Sequence, residues 1–170
     1  MTASVVLEQT AGPSKSFANA PFPKSVCFVC TGNTCRSPMA AAVTNHLASL
    51  YKKPISATSA GLYAATGEPI AANAALALEN AGIEAHGARN YYLHRAHTLC
   101  AEEAERCDLL VGLTDRHAME LLLRYPALAD RITCLTPSIA DPFGGDLACY
   151  ESCLCEITDA IKQMLFREDL

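Results

Sequence analysis

From residue 25 onward, short apolar runs alternate with stretches in which apolar residues recur every three or four positions. The run Ser25–Cys30 is apolar and β-branched, which is typical of a buried parallel strand. The same reasoning predicts strands at 55–59, 108–113 and 131–135, and helices at 37–50, 69–81, 98–107, 115–124 and 147–165. Alternating strands and helices indicate an α/β fold, with helices on both faces of a parallel sheet. The functional loops of such a sheet follow the carboxyl ends of its strands.

Residues 1–24 do not share this pattern. They are rich in Ala, Ser and Pro, and Pro13, Pro21 and Pro23 interrupt any regular element. We interpret 1–24 as a flexible N-terminal extension, although residues upstream of a natural start would have the same character. No linker or internal repeat divides the rest, so 25–170 is expected to form one domain.

Composition and charge exclude several classes of protein. The chain of 170 residues is 51% hydrophobic and 18% charged, which excludes a disordered polymer. A net charge of −5, an aromatic content of 6% and the lack of Trp argue against nucleic acid as a partner. No apolar run is long enough to cross a membrane and no secretory signal is visible. The nine cysteines are expected to be reduced in a cytoplasmic protein, most of them as small buried hydrophobes.

The loop after the first predicted strand has the residues of an oxyanion site. Five residues separate Cys30 from Arg36, enough to curl around one tetrahedral oxyanion with backbone N–H groups pointing inward. Gly32 and Asn33 tolerate the left-handed backbone angles that a tight curl requires. A helix that begins at Ser37, with Ser37 as its cap, adds the positive end of its dipole. Arg36 can bind two phosphoryl oxygens with its planar guanidinium group.

Cys30 is the expected nucleophile of this site. A helix N-terminus and a nearby arginine both favour the thiolate form of a cysteine. The Ser37 hydroxyl is placed to donate a further hydrogen bond to the sulfur. A thiolate beside a bound phosphoryl group predicts attack on phosphorus and a phosphocysteine intermediate, for which no metal or cofactor is needed. A buried cysteine beside a solvated arginine is the alternative, but the apolar strand, the Gly-Asn pair and the Ser-Pro helix start argue against it.

Such chemistry needs an acid for the leaving group and a base for water, and Asp141 is the best candidate. It follows the fourth predicted strand, on the sheet edge that carries the cysteine loop. Pro142 stiffens the backbone after it and biases Asp141 towards an extended conformation. Asp146 is the weaker candidate, and we assign it to the N-cap of the last helix.

Three motifs in this order, at 29–40 (VCTGNTCRSPMA), 59–61 (SAG) and 141–142 (DP), resemble those of the low-molecular-weight protein tyrosine phosphatases. The resemblance covers nearly all of residues 25–166. It implies a flavodoxin-like three-layer sandwich with a four-stranded parallel sheet, and a phosphorylated protein as substrate. It also implies Cys30 as nucleophile, Arg36 as phosphate and transition-state binder, and Asp141 as general acid and then base, without a metal. The residues that would surround the phosphate, or another oxyanion, are Thr31, Gly32, Asn33, Thr34, Cys35 and Ser37.

Two details shift the expected substrate within that family. Tyrosine-specific members usually carry a bulky aliphatic residue where Thr34 stands, and often aromatic residues directly after the Asp-Pro pair. Thr34 and the segment Asp141-Pro142-Phe143-Gly144-Gly145 look like the bacterial protein arginine phosphatases. A threonine hydroxyl can accept from a guanidinium N–H that an isoleucine would leave unpaired. We therefore favour phosphoarginine over phosphotyrosine, with Phe143 either against the substrate or as a core anchor of its loop.

Two other classes of function start from the cysteines. A thioredoxin-coupled arsenate reductase has a similar first loop, but its redox pair follows the third strand, where this chain has Thr114-Asp115-Arg116-His117. A metal-binding or redox-sensing module would use Cys27 and Cys30 or the cluster at 149–155. Cys27 and Cys30 are three positions apart on one predicted strand and therefore point to opposite faces, which argues against zinc.

Redox regulation of the enzyme itself is a separate prediction. Oxidation of Cys30 to the sulfenic acid would allow a disulfide with Cys35, which lies in the same loop.

The histidines are not expected to take part in the reaction. His94 and Arg95 are expected to pack within their own loop, and the remaining histidines, at 46, 86, 97 and 117, are expected to be surface or core residues.

Overall fold

The computed structural model describes residues 22–85, 87 and 90–167. Four parallel strands form one sheet in the order β2-β1-β3-β4. They are β1 (Ser25–Cys30), β2 (Ser56–Gly61), β3 (Leu109–Gly112) and β4 (Ile132–Cys134). The helices are α1 (Arg36–Leu50), α2 (Ala72–Asn80), α3 (Ala101–Arg106), α4 (Asp115–Arg124) and α5 (Leu147–Leu165), with 3₁₀ turns at Tyr91–Leu93 and Pro126–Arg131. The predicted α/β class, with a four-stranded parallel sheet, is confirmed.

Helices cover both faces of the sheet, and every residue of β1 after Ser25 is therefore buried. Val26, Phe28 and Cys30 face the larger core, which α1, α2 and α5 share. Cys27 and Val29 face a smaller core formed with α3 and α4. Strand β1 therefore lies in the centre of the molecule, and its carboxyl end presents Cys30 at the sheet edge.

Several element boundaries differ from prediction. Strand β2 runs on to Gly61 because its last residues pair with Val29 and Cys30. The third helix is shorter than predicted because Thr98 forms a bridge with Gly61 and remains extended. Ser37 does not cap α1: the helix begins at Arg36, its N-cap is Cys35, and no side chain caps it.

Asp146 caps α5, as predicted. Its carboxylate accepts the backbone N–H of Cys149 at 3.0 Å. No helix in the described ranges is long and apolar enough to cross a bilayer. Most of the predicted extension, residues 1–21, lies outside the described residues.

Candidate active site

The loop between β1 and α1 curls around the Cys30 sulfur. Asn33 has a φ of 56°, the left-handed conformation that the sequence predicted for this loop. This geometry lets the Asn33 backbone N–H donate to Cys30 Sγ at 3.3 Å. Ser37 Oγ lies 3.0 Å from the same sulfur. The sulfur thus has two polar neighbours next to the N-terminus of α1, where the first helical N–H groups lack intrahelical acceptors.

The side chain of Asn33 holds the loop in this shape. It is fully buried, and its Nδ2 donates to Ser37 Oγ and to Ser59 Oγ, both at 3.0 Å. Its Oδ1 accepts the backbone N–H of His97 at 3.1 Å. The backbone carbonyl of Asn33 lies 2.7 Å from His94 Nε2. Asn33 therefore ties the loop to α1, β2 and the segment before α3.

Backbone hydrogen bonds fix the loop from outside. Leu62 N–H donates to the carbonyl of Cys30 and Tyr63 N–H to that of Thr31, both at 2.9 Å, and the Thr34 carbonyl accepts from residue 71 at 2.8 Å. Gly61 makes this approach possible. A Cβ there would lie 2.8 Å from the Thr31 carbonyl oxygen, closer than real side chains come. The Ser-Ala-Gly motif is thus the surface against which the loop packs.

Arg36 is the buried cation of the site, with a side chain that is 7% exposed. Its Nη1 donates to the carbonyl of Ile139 at 3.2 Å, and its Nη2 donates to Asp141 Oδ2 at 2.7 Å. Its Nε is buried and has no hydrogen-bond partner in the described part of the chain. A buried guanidinium N–H is costly to leave unpaired, so this geometry suits an arginine that binds an anion.

Asp141 and Phe143 complete the rim of the site. The Asp141 side chain is half exposed, and its Oδ1 accepts the backbone N–H of Phe143 at 3.2 Å. Phe143 is 78% exposed, so it is not the core anchor that the sequence left open. A pocket of about 220 Å³ is lined by Cys30, Thr31, Gly32, Asn33, Thr34, Cys35, Arg36, Asp141 and Phe143. The structure therefore brings together nine of the ten predicted site residues in the pocket, and the tenth, Ser37, contacts the Cys30 sulfur.

Cys35 lines the pocket with the rest of the loop, and its thiol also contacts α5. Its Sγ is buried and lies 3.3 Å from the hydroxyl of Tyr150 on α5. Burial and the contact with Cys35 raise the pKa of Tyr150, so this phenol stays neutral. Nothing in the sequence marks Tyr150 as a site residue, because its spacing in α5 is that of a core position.

Two histidines contact the loop, although the sequence assigned neither to the site. The pKa of His94 is lowered, mainly by burial. His117 Nε2 lies 3.0 Å from Thr31 Oγ1, and burial followed by the charge of Arg36 lowers the pKa of His117 to about 4. The sequence did offer one signal for His117: it is a polar residue three positions after Thr114, the N-cap of α4. His86 lies outside the described residues.

In the part of the chain that the structure describes, the other cysteines are not grouped into a metal site. All nine are free, and Cys27 and Cys30 face different cores, as their strand positions predicted. Cys100 and Cys107 flank α3, before β3, while the segment after β3 caps and begins α4. Among the described residues, no group of three or more His, Cys, Asp or Glu side chains is placed to hold a metal.

Comparison with known proteins agrees with this geometry. The family model described as low molecular weight phosphotyrosine protein phosphatase matches residues 25–170. A protein-arginine-phosphatase of Geobacillus stearothermophilus is 33% identical over 149 residues, which are 84% of this chain and 94% of that protein. A low molecular weight protein tyrosine phosphatase from T. tengcongensis superposes with a TM-score of 0.77 and 33% identity, covering 86% of this chain and 99% of the other.

A further solved structure bears on the chemistry. It is a mutant of the arginine phosphatase YwlE with a phosphorylated active-site serine in place of cysteine; its TM-score is 0.74 at 27% identity, covering 85% of this chain and 95% of the other. Together with the loop geometry, these matches assign the chain: it belongs to the low molecular weight phosphotyrosine protein phosphatase family.

Proposed function

We propose that this protein is a cysteine-dependent phosphatase that hydrolyses phosphoarginine on proteins. One observation carries the proposal: the Cys30 sulfur, a buried Arg36 guanidinium and the Asp141 carboxylate meet in one pocket at the N-terminus of α1. The curled loop accounts for anion binding, the sulfur for nucleophilic attack and the carboxylate for proton transfer.

The first chemical step transfers the phosphoryl group to the enzyme. Cys30 Sγ attacks phosphorus, the S–P bond forms, and the P–N bond to the guanidine breaks. Asp141 gives its proton to the departing nitrogen, which avoids release of an unprotonated guanidine. Arg36 and the N–H groups of the loop stabilise the charge that develops on the phosphoryl oxygens. The products of this step are a protein arginine and phosphocysteine.

The second step regenerates the thiolate. Asp141, now ionised, takes a proton from water, the water oxygen attacks phosphorus, and the S–P bond breaks to release inorganic phosphate. Ser37 Oγ and the Asn33 N–H, which already contact the sulfur, stabilise it as a leaving group. The YwlE mutant with a phosphorylated active-site serine supports a covalent phosphoenzyme in a member of this family.

The contact between Arg36 and Asp141 gives substrate binding a second effect. The two groups are 2.7 Å apart, so an incoming phosphoryl group competes with the carboxylate for Arg36. Once the phosphoryl oxygens bind the guanidinium, Asp141 is released towards the leaving group and takes up from solvent the proton that it donates in the first step. Its half-exposed position on the rim leaves room for this movement.

Thr34 favours phosphoarginine over phosphotyrosine. It is half-buried and lines the pocket, so its hydroxyl can accept from the guanidinium N–H beside phosphorus. The Geobacillus relative is named for arginine. Phosphotyrosine is the second candidate, because a tyrosine phosphatase structure matches at equal identity and Phe143 can stack on an aromatic ring.

The partner is therefore a phosphorylated protein, with phosphate as the product held by the loop. Nine free thiols support a reducing compartment, the cytoplasm, as the place of action. The acidic net charge of −5 supports neither nucleic acid nor an anionic membrane as a partner.

The proposal is tested by parallel turnover of two peptides that differ only in phosphoarginine or phosphotyrosine. We expect a higher kcat/KM for phosphoarginine, loss of turnover of both peptides in Cys30→Ser, and a fall of roughly 10²–10⁴ in Asp141→Asn. Full activity of Cys30→Ser would refute the mechanism. Preference for phosphotyrosine would keep the mechanism and move the substrate to the second candidate.

A further inference from the structure

A chain of hydrogen bonds reaches the pocket from the start of α4. His117 Nδ1 lies 3.0 Å from Thr114 Oγ1, and His117 Nε2 lies 3.0 Å from Thr31 Oγ1. Thr31 directly follows Cys30, is exposed and lines the pocket. A buried histidine side chain therefore connects a helix cap to a hydroxyl at the site of the reaction.

The backbone around His117 fixes the imidazole ring in place. Thr114 is the N-cap of α4, and its Oγ1 accepts the backbone N–H of His117 at 3.3 Å. A Cβ on Gly112 would lie 2.6 Å from the Ala118 nitrogen and 3.1 Å from His117 Cβ. The first turn of α4 is thus packed directly on the end of β3, and the ring has little freedom to move.

The ring is neutral at physiological pH because burial and the charge of Arg36 lower the pKa of His117 to about 4. A neutral imidazole has one N–H and one acceptor nitrogen. Thr114 Oγ1 accepts the backbone N–H and keeps its own O–H as a donor, which we assign to Nδ1. The ring proton is then on Nε2 and is donated to Thr31 Oγ1.

We propose that His117 is a positioning residue that makes the Thr31 hydroxyl a donor to a phosphoryl oxygen. With one Thr31 lone pair occupied by the imidazole N–H, the hydroxyl proton turns towards the pocket. The inference rests on the proposed function, because it assigns a further donor to the same phosphate site. It differs from the roles given above, in which only the loop N–H groups and Arg36 bind phosphate.

Binding of inorganic phosphate to the full-length protein, measured by titration calorimetry, tests this assignment without relying on turnover. A hydrogen bond to a charged acceptor is strong enough that Thr31→Val should weaken phosphate binding by about ten-fold. His117→Leu should weaken it by roughly three-fold or more, since the hydroxyl remains but loses its orientation. Thr31→Ser and His117→Gln keep the donor pair and should bind phosphate like the wild type.

The double variant Thr31→Val/His117→Leu separates positioning from general damage. Because both changes remove the same hydrogen bond to phosphate, the double variant should bind as weakly as Thr31→Val alone. Additive losses would show that His117 acts by another route and would overturn the proposal. If His117→Leu does not fold, normal phosphate binding by Thr31→Val would overturn it equally.

Thr44→Val is the matched control. Thr44 is fully buried in α1, and its hydroxyl has no hydrogen-bond partner in the described part of the chain. The same change of hydroxyl to methyl there should leave phosphate binding unaltered. Other outcomes would refute the proposed function itself. These are a wild-type protein that binds no phosphate, or a Cys30→Ser variant that still turns over substrate.

Discussion

Asn33 offers the most quantitative test of how the fold builds the site. Its side chain makes three hydrogen bonds, to Ser37, Ser59 and the His97 backbone, from a position with no solvent exposure. Its backbone has a φ of 56°. Replacement by alanine removes the hydrogen bonds and keeps an unfavourable left-handed residue, whereas replacement by glycine removes only the hydrogen bonds.

The expected losses of stability follow from these two contributions. Each hydrogen bond has a net value of about 1 kcal/mol, so losing all of them lowers the free energy of unfolding by about 3 kcal/mol. A left-handed alanine adds roughly 1–2 kcal/mol. We therefore expect about 4–5 kcal/mol for Asn33→Ala and about 3 kcal/mol for Asn33→Gly, with about 1 kcal/mol for Ser59→Ala, which breaks one bond.

Urea unfolding followed by far-ultraviolet circular dichroism measures these differences. Activity should fall along with stability, because the Asn33 N–H contacts the Cys30 sulfur. Equal destabilisation by alanine and glycine would show that the left-handed backbone is not under strain. A loss below about 1 kcal/mol for Asn33→Ala would show that the amide network does not stabilise the loop.

Three other changes test substrate choice, redox chemistry and pH dependence. Thr34→Ile should shift the ratio of phosphoarginine to phosphotyrosine turnover towards phosphotyrosine by about ten-fold or more, because a guanidinium donor loses its acceptor; an unchanged ratio would contradict this role. Hydrogen peroxide should inactivate the enzyme reversibly as the Cys30 sulfenic acid condenses with the Cys35 thiol, releasing water. Cys35→Ser should recover less activity with added thiol, and equal recovery would exclude the disulfide. The unfolding free energy should fall as pH drops from 6.5 towards about 4, because unfolded His117 gains a proton that the folded state, with its lowered pKa, excludes. His117→Gln should flatten this fall in urea titrations, and an equal slope in both proteins would show that folding does not lower the pKa of His117.

The order of elements could be predicted because its signals are local. The strand Ser25–Cys30 and helix α5 could be predicted from their own residues, without knowing which elements pack against them. Boundaries were less accurate where tertiary contacts decide them. Thr98 remains extended because it pairs with Gly61, and β2 runs to Gly61 because β1 continues beside it. The pattern of a segment does not show which distant residues will pair with it, so the end of β2 and the start of α3 could not be predicted.

The site shows the same division. Cys30, Arg36 and the left-handed Asn33 were predictable, since one short loop carries them together. Asp141 was found because the carboxyl ends of parallel strands share one sheet edge. His117 was missed because its contact with Thr31 depends on how α4 packs against β3.

The prediction that Ser37 caps α1 was wrong for a related reason. Its hydroxyl has better partners in the sulfur of Cys30 and the Asn33 amide than at the helix terminus. A residue of a type that often caps helices can therefore form its hydrogen bonds within a site that exists only in the folded protein.

The most direct measurement is the identity of the atom that accepts the phosphoryl group. Rapid mixing of the wild-type protein with a phosphoarginine peptide, followed by quenching within the first turnover and peptide mass spectrometry, should show phosphate on the peptide that contains Cys30. The adduct should form and decay at rates that match turnover. Phosphate on another residue, or release of phosphate with an unmodified Cys30 throughout, would contradict the account.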